Sequence, residues 1–373
     1  MQASDLSSLN SQVLWASFAL SFIFGAIAQR THFCTMGAVS DVVNMGDWTR
    51  MRQWGMAVGV AMLGFASLVY AGWIDPSKTL YASSRWIWLS ASVGGLMFGF
   101  GMVLASGCGS KTLVRIGGGS LKSLIVFVVL AVAAFATLKG ITAVVRVATV
   151  DRVAIDFSTT ASLPHWIAAA SGLQVKLVGL VLALMLGGAL VVWALIGFLR
   201  SDDRFNNLLA GLGIGAVVAA MWWVSGHLGY VAEHPDTLQE AFLATNSGRA
   251  EALSFVSPVA YTLDWLMFFS DKSKVLTVGI VSVFGVVAGS AVCALAMGTF
   301  RWEGFGSTED VGNHIAGAVL MGVGGVAAMG CTIGQGLSGI STLGATSFVA
   351  VAAILAGAVM AFKYQIWRLE RMG

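Results

Sequence analysis

Residues Gly99–Gly117, GFGMVLASGCGSKTLVRIG, decide how this chain is read, because Gly322–Gly339, GVGGVAAMGCTIGQGLSG, repeats their pattern. Placing Cys108 on Cys331 also places Gly107 on Gly330, Gly101 on Gly324 and Gly99 on Gly322. Each copy is an apolar, glycine-spaced run that stops at Gly-Cys and enters a short loop rich in Gly, Ser and Thr. A second apolar run follows each loop. Neither loop has enough polar residues to leave a membrane and build a domain. A tight, thiol-bearing turn entered from a hydrophobic helix predicts a re-entrant loop at bilayer depth. Such backbone is tolerated only where protein or a water-filled path satisfies its polar groups. The two Gly-Cys turns therefore read as the lining of a pathway.

Composition sets the solvent. Of 373 residues, 57% are hydrophobic and 10% are charged. A soluble chain carries roughly a quarter charged residues, so an integral membrane protein is expected. The 46 glycines fit close helix–helix approach and broken helices. A formal charge of +3 is too small to argue for nucleic acid. The four cysteines (Cys34, Cys108, Cys293, Cys331) form no CxxC or zinc-ribbon spacing, and a disulfide framework is not expected. No Lys or Arg precedes Arg30, so the basic region of a cleaved signal peptide is missing and the first apolar segment is expected to stay.

Nine apolar stretches approach the length of about 20 residues that a span needs. They are Val13–Ala28, Gln53–Trp73, Trp86–Ala105, Leu121–Val145, Lys176–Leu199, Leu208–Val224, Val275–Thr299, Gly312–Met329 and Thr342–Phe362. Hydrophobic segments too short to cross stand between them at Phe33–Met45, Cys108–Ile116, Tyr261–Phe269 and Cys331–Ile340. Lys and Arg favour one set of connections, including Arg30, Arg50, Arg52, Lys111, Arg115 and Lys122, whereas most carboxylates lie in the other. By the positive-inside rule this predicts an outer N-terminus and a cytoplasmic C-terminus. The expectation is an all-α integral membrane protein with about nine transmembrane helices and four re-entrant loops. Two inverted, pseudo-symmetric halves, residues 1–147 and 207–373, would be joined by a loop and linking helix at 148–206. Inverted repeats place binding sites near the midplane, here in an hourglass. The fourth loop is expected at WWVSGHLGY, Trp222–Tyr230, with His227 where its partner carries Cys34.

Four motifs carry a family resemblance: GAIAQRTHFCTMGAVSD (Gly25–Asp41), GFGMVLASGCGSKTLVRIGGGSLKS (Gly99–Ser123), WWVSGHLGY and GVGGVAAMGCTIGQGLSG. Together they make the chain resemble the YeeE/YedE family of membrane sulfur-compound transporters over essentially its whole length. The resemblance implies thiosulfate uptake across the bacterial inner membrane, with Cys34, Cys108 and Cys331 as a row of loop cysteines that pass the ion along. It also implies a TusA-like cytoplasmic sulfurtransferase as partner. The resemblance leaves the substrate open among sulfur and selenium compounds.

Thiols suit a dianion crossing a narrow waist. A fixed Arg there would bind too strongly, and conduction needs sites weak enough to leave. A neutral S–H is a weak donor, so three in series give shallow sites. The bland alternative is that free Cys packs as a small hydrophobe, and Cys293 in GSAVCALAM is read that way. Lys111 and Arg115, three and seven residues after Cys108, share a helix face. They attract anions at a mouth or simply serve topology. Gln29 and His32 crowd the break before Cys34 and either hold the loop or donate to the ion. His227 is read as a loop hydrogen-bonder or a substrate contact. Thr332, Gln335 and Ser338 after Cys331 offer donors to sulfonate-type oxygens or to the loop backbone.

No HExxH, Walker loop or nucleophile elbow is present, so no enzyme and no cofactor are expected. Carboxylates within spans, the mark of a proton relay, are nearly missing, which favours a channel-like or weakly coupled path. Two other readings stand beside transport of a sulfur oxyanion. A soft-metal transporter could use Cys, His and the 16 Met residues, although these Met are scattered. A thiol-redox enzyme could use Cys108 and Cys331 as a reactive pair.

Overall fold

The computed structural model describes residues 3–372 apart from 202 and 236. The chain opens with α1 (Ala3–Thr31), breaks at Phe33–Cys34, and resumes as α2 (Thr35–Ser40), which relaxes into a π turn, Asp41–Met45. Then come α3 (Thr49–Tyr70), α4 (Trp88–Leu104), α5 (Gly109–Gly117) and α6 (Leu121–Lys139). The short helices α7 (Ile141–Ala148) and α8 (Leu163–Ser171) follow. Two rods are each interrupted by a π turn: α9 (Val175–Leu182) with α10 (Gly188–Phe198), and α11 (Arg204–Leu208) with α12 (Ile214–Trp223). The last helices are α13 (Ser257–Met267), α14 (Val278–Ala296), α15 (Thr308–Ala327) and α16 (Ala345–Met372). Among the described residues, sheet is confined to two ribbons of two-residue strands, β1 (Arg85–Trp86) with β2 (Ile155–Asp156) and β3 (Tyr230–Val231) with β4 (Ala241–Phe242).

The chain is an all-α integral membrane protein. Eight helical stretches are long and apolar enough to cross a bilayer among the described residues. The ninth predicted span, Gly312–Met329, is occupied by α15, a 20-residue helix whose first turn carries Glu309 and Asp310. Side-chain hydroxyls start several of these helices. Ser120 accepts from Ser123 N–H at α6, Thr277 from Ile280 N–H at α14, and Ser307 from Asp310 N–H at α15. Each satisfies a backbone donor that the helix leaves without a partner.

Glycine decides which helices can touch. In a bilayer apolar side chains gain little by leaving lipid, so close backbone approach supplies the packing energy. α4 crosses α15 at two reciprocal points. A Cβ on Gly94 would lie 2.6 Å from the Gly324 carbonyl oxygen, and one on Gly101 would lie 2.6 Å from that of Gly317. Laying the first copy of the motif on the second carries Gly94 onto Gly317 and Gly101 onto Gly324, so the two contacts exchange. Gly99 likewise seats α4 on Ile354 of α16, while Gly322 seats α15 on Leu130 of α6. α1 and α14 meet at Gly25 and Gly289, where an added Cβ would come within 2.2 and 1.9 Å of a carbonyl oxygen.

Loops gather on two opposite faces. On one, Arg249 donates to the Ala82 carbonyl at 2.6 Å, Lys78 pairs with Glu240, and Leu163 N–H bonds the Leu343 carbonyl at 3.1 Å. We call this the α7 face. On the other, Leu121 N–H bonds Glu303 O at 2.9 Å and Arg368 pairs with Glu309 at 2.8 Å. We call this the C-terminal face.

One expected loop is absent from its predicted place. Trp222–Tyr230 is not a chain break: the helix that contains α12 runs on through a π turn, Val224–Leu228. Ser, Gly and His look like loop signals there, yet Ser225 and Gly226 are buried against neighbours, which lets the helix continue. The short helix of that region is instead α13, preceded by Leu253–Val256.

Candidate functional site

Three helix breaks share one backbone device. Two residues before each loop cysteine, a non-glycine residue adopts left-handed backbone: His32 at φ 53°, Ser106 at 55° and Met329 at 57°. That conformation costs an L-residue about 1–2 kcal/mol. The fold holds it three times, and each time it reverses the chain and sets a cysteine at the head of the next helical turn. The two long copies agree in detail. Gly107 N–H closes on Met102 O and Gly330 N–H on Gly325 O, both at 2.8 Å, in the manner of a helix C-terminal cap.

The thiols are buried: Cys34 is 9% exposed, Cys108 1% and Cys331 0%. None is in a disulfide. Cys34 and Cys108 are direct neighbours, and Cys331 lies within electrostatic reach of Cys108. Cys34 sulfur accepts from Gly37 N–H and Cys331 sulfur from Gly334 N–H, each at 3.4 Å. Cys108 sulfur pairs with the Ser110 hydroxyl at 3.3 Å. An amide that donates to a thiol sulfur leaves the S–H free and polarises it, so a neutral thiol so held is a better donor to an anion. Two hydroxyls next to cysteines, Thr35 Oγ1 and Thr332 Oγ1, are buried without a hydrogen bond of normal geometry, and Thr332 faces the Cys108 thiol. Buried polar groups are nearly always satisfied, so an unpaired one asks for an explanation.

Of the other predicted residues, Lys111 lies in the first turn of α5, within electrostatic reach of both Cys34 and Cys108. Arg115 is a brace, with Nη1 donating to the Ser106 carbonyl at 2.8 Å. Gln335 braces the second copy and is fully buried: Nε2 donates to Ala328 O at 2.7 Å, and Oε1 accepts from Ser347 Oγ at 2.6 Å. Ser338 donates to the Leu253 carbonyl at 2.7 Å. Gln29 is half-buried beside Gly118. His32 is exposed, with Lys111 and Arg50 as its charged neighbours. His227 needs correcting. It is exposed at the end of a helix, its ring packed on Trp73 at 5.6 Å and near Trp223 at 5.9 Å, and it occupies no break beside the cysteines. Cys293 points at Met297 Sδ at 3.5 Å within its own helix.

Sequence reasoning missed Thr35, Tyr81 and Phe255. The Cys-Thr pair at both Cys34 and Cys331 was the available signal for Thr35. Tyr81 reaches the site only through tertiary packing, its hydroxyl donating to Gly334 O at 2.6 Å. Phe255 sends its backbone N–H towards the Cys331 sulfur, and its ring packs on Phe24 at 5.6 Å. Among the described residues, no three His, Cys, Asp or Glu side chains form a metal-holding group.

A membrane scaffold with buried thiols at converging helix breaks defines a class of polytopic transporter rather than a soluble thiol protein. Residues 30–360 match the family described as Sulphur transport, and the chain belongs to that family. It is a multi-pass membrane protein for the transport of sulfur compounds, not an enzyme. It is similar to Thiosulfate transporter TsuA of Escherichia coli (strain K12), 26% identical over 325 residues, with 84% of each chain covered. It is also similar to Thiosulfate transporter TsuA of Spirochaeta thermophila, 24% identical over 345 residues, covering 91% of this chain and 94% of that one. A shorter match, 29% identical over 110 residues, relates 30% of this chain to 26% of Probable transporter YedE of Escherichia coli.

Proposed function

We propose that this protein takes up thiosulfate, or a closely related sulfur oxyanion, across the bacterial inner membrane. Cys34, Cys108 and Cys331 relay the ion by S–H hydrogen bonds. The observation that carries the reading is the repeated break itself: three buried thiols at helix starts, two with sulfur already held by an amide. Two unsatisfied threonine hydroxyls stand beside them. A partly dehydrated anion needs donors to replace lost water, and neutral donors bind weakly enough for the ion to move on. Thr35 and Thr332 extend the donor set. Lys111, within reach of the Cys34 and Cys108 sulfurs, supplies positive charge beside them and draws the ion onward.

In this reading the α7 face is periplasmic and the C-terminal face cytoplasmic, where a TusA-like sulfurtransferase would receive the ion. Residues 1–147 and 207–373 act as inverted halves joined by 148–206, with the exchanged glycine contacts of α4 and α15 on the pseudo-two-fold axis. α13 then takes the place in the second half that α2 takes in the first, and the breaks form an hourglass of re-entrant segments.

The test is growth on thiosulfate as sole sulfur source in a host without its own uptake system, with membrane levels checked for each variant. Cys34→Ala, Cys108→Ala and Cys331→Ala should each abolish growth while Cys293→Ala retains it. Wild-type growth from all four variants would reduce the thiols to packing.

A further inference from the structure

A cavity of about 220 Å³ opens on the α7 face and is lined by Arg146, Glu251, Ser254, Ser257, Tyr261 and Met329, among others. Its floor is the wall of the Cys331 break. Met329 is the left-handed residue two positions before Cys331. The Ser254 hydroxyl packs against Gly334, where an added Cβ would lie 2.6 Å from it, and Gly334 is the residue whose N–H holds the Cys331 sulfur. The cavity combines one cation, several hydroxyls and one carboxylate. Arg146 on α7 is ion-paired with Asp151 at 3.1 Å. The carboxylate of Glu251 accepts from the Ser247 hydroxyl at 3.1 Å rather than from a cation. Its backbone is fixed to the end of the α12 rod, where its N–H donates to Ser225 Oγ at 3.1 Å. Tyr261 from α13 and Tyr81 from the loop before α4 lie within electrostatic reach of it, Asp264 of α13 lies near Tyr261, and Arg146 from α7, with its partner Asp151, lines the same cavity.

A carboxylate in the antechamber of an anion path would repel its cargo. We propose that this cavity is the outer docking site of the sulfur oxyanion, held by Arg146 and the surrounding hydroxyls, and that Glu251 takes up a solvent proton as the dianion enters. The inference rests on the transport reading above. Arg146 is already paired with Asp151, so without the proton a dianion and Glu251 would bring three further negative charges to the cavity, and with it two. The acid also becomes an O–H donor to the ion. No covalent bond changes, and the proton returns to water when the anion moves on. Burial pushes the Glu251 carboxyl up to about 7, against the pull of the Ser247 hydroxyl and the Asn246 N–H, so the proton is available near neutrality.

The test uses purified full-length protein in proteoliposomes and radiolabelled thiosulfate, a dianion throughout, with external pH stepped from about 6 to about 8.5. Wild-type uptake should fall with rising pH, approaching about tenfold per unit above the midpoint, as the protonated fraction does. Glu251→Gln should flatten the profile near the low-pH rate. Glu251→Asp should keep a profile with its midpoint at lower pH, and this serves as the test should the Gln variant fail to fold. Arg146→Gln should raise the half-saturating thiosulfate concentration about tenfold, with Arg146→Lys recovering part of it. Superimposable wild-type and Glu251→Gln profiles, or an undisplaced Asp midpoint, would overturn the proton step. An unchanged half-saturation in Arg146→Gln would overturn the docking site. Wild-type liposomes that take up no thiosulfate would overturn the transport reading itself, and this proposal with it.

Discussion

The Cys108 and Cys331 breaks have nearly the same backbone and quite different chemistry around it. Each ends a glycine-rich helix with the same carbonyl closure at 2.8 Å, and each turns through a left-handed residue two positions before the thiol. At Cys108 the turn is braced by a cation, Arg115 on the Ser106 carbonyl, with Lys111 beside the sulfur. At Cys331 the brace is a neutral amide, Gln335 on the Ala328 carbonyl, itself held by Ser347. A shared turn sets the thiol position, and the unlike braces set the electrostatics. In the proposed relay, positive charge at the Cys108 break and not at the Cys331 break would give the path a direction, with an anion leaving Cys331 meeting increasing attraction towards Lys111.

The sharpest way to break this comparison is to remove the neutral brace. Gln335→Ala leaves a buried carbonyl and the Ser347 hydroxyl without this partner, which should destabilise the fold by about 3 kcal/mol. A thermal-shift measurement in detergent reads this directly, and an unchanged midpoint would show that Gln335 braces nothing. Thr332→Val separates function from stability at the same break. It removes a buried hydroxyl that faces the Cys108 thiol without a hydrogen bond of normal geometry, so stability should change little. Thiosulfate uptake should fall about tenfold, as expected for one lost hydrogen bond to an anion. Uptake at the wild-type rate would remove Thr332 from the donor set. Lys111→Gln tests the asymmetry, and an uptake loss of a few fold is expected, one that salt changes little because Lys111 is partly buried. Uptake at the wild-type rate would remove Lys111 from the path. His227→Ala should change uptake by less than twofold, since its contacts are two tryptophan rings at 5.6 and 5.9 Å; a large loss would return it to the pathway.

Much of this was legible along the chain, because both signals involved are local. Twenty apolar residues in a row identify a bilayer span without any tertiary information. A repeated Gly-Cys end to such a run marks where the helix must stop. The positions of Cys34, Cys108 and Cys331 at helix starts follow from these signals alone. His227 misled because Ser, Gly and His read as loop residues when their neighbours are unknown, whereas packing of Ser225 and Gly226 keeps the helix going. Gln335 was a candidate ligand on composition, and the fold instead turns both ends of its amide towards protein.

The amino-acid order by itself determined the membrane class, the broken helices and the duplicated thiol turn, since hydropathy and backbone preference act over one or two turns of chain. Tertiary structure alone decided which groups face those thiols. The Tyr81 hydroxyl reaches Gly334 across 253 residues, and Ser338 reaches Leu253 across 85. It also set Thr332 facing the Cys108 thiol without a hydrogen bond of normal geometry, while both ends of the Gln335 amide are bonded. Hydrogen bonds of that range depend on how close two helices can come, and here glycines such as Gly94, Gly101, Gly317 and Gly324 set that distance.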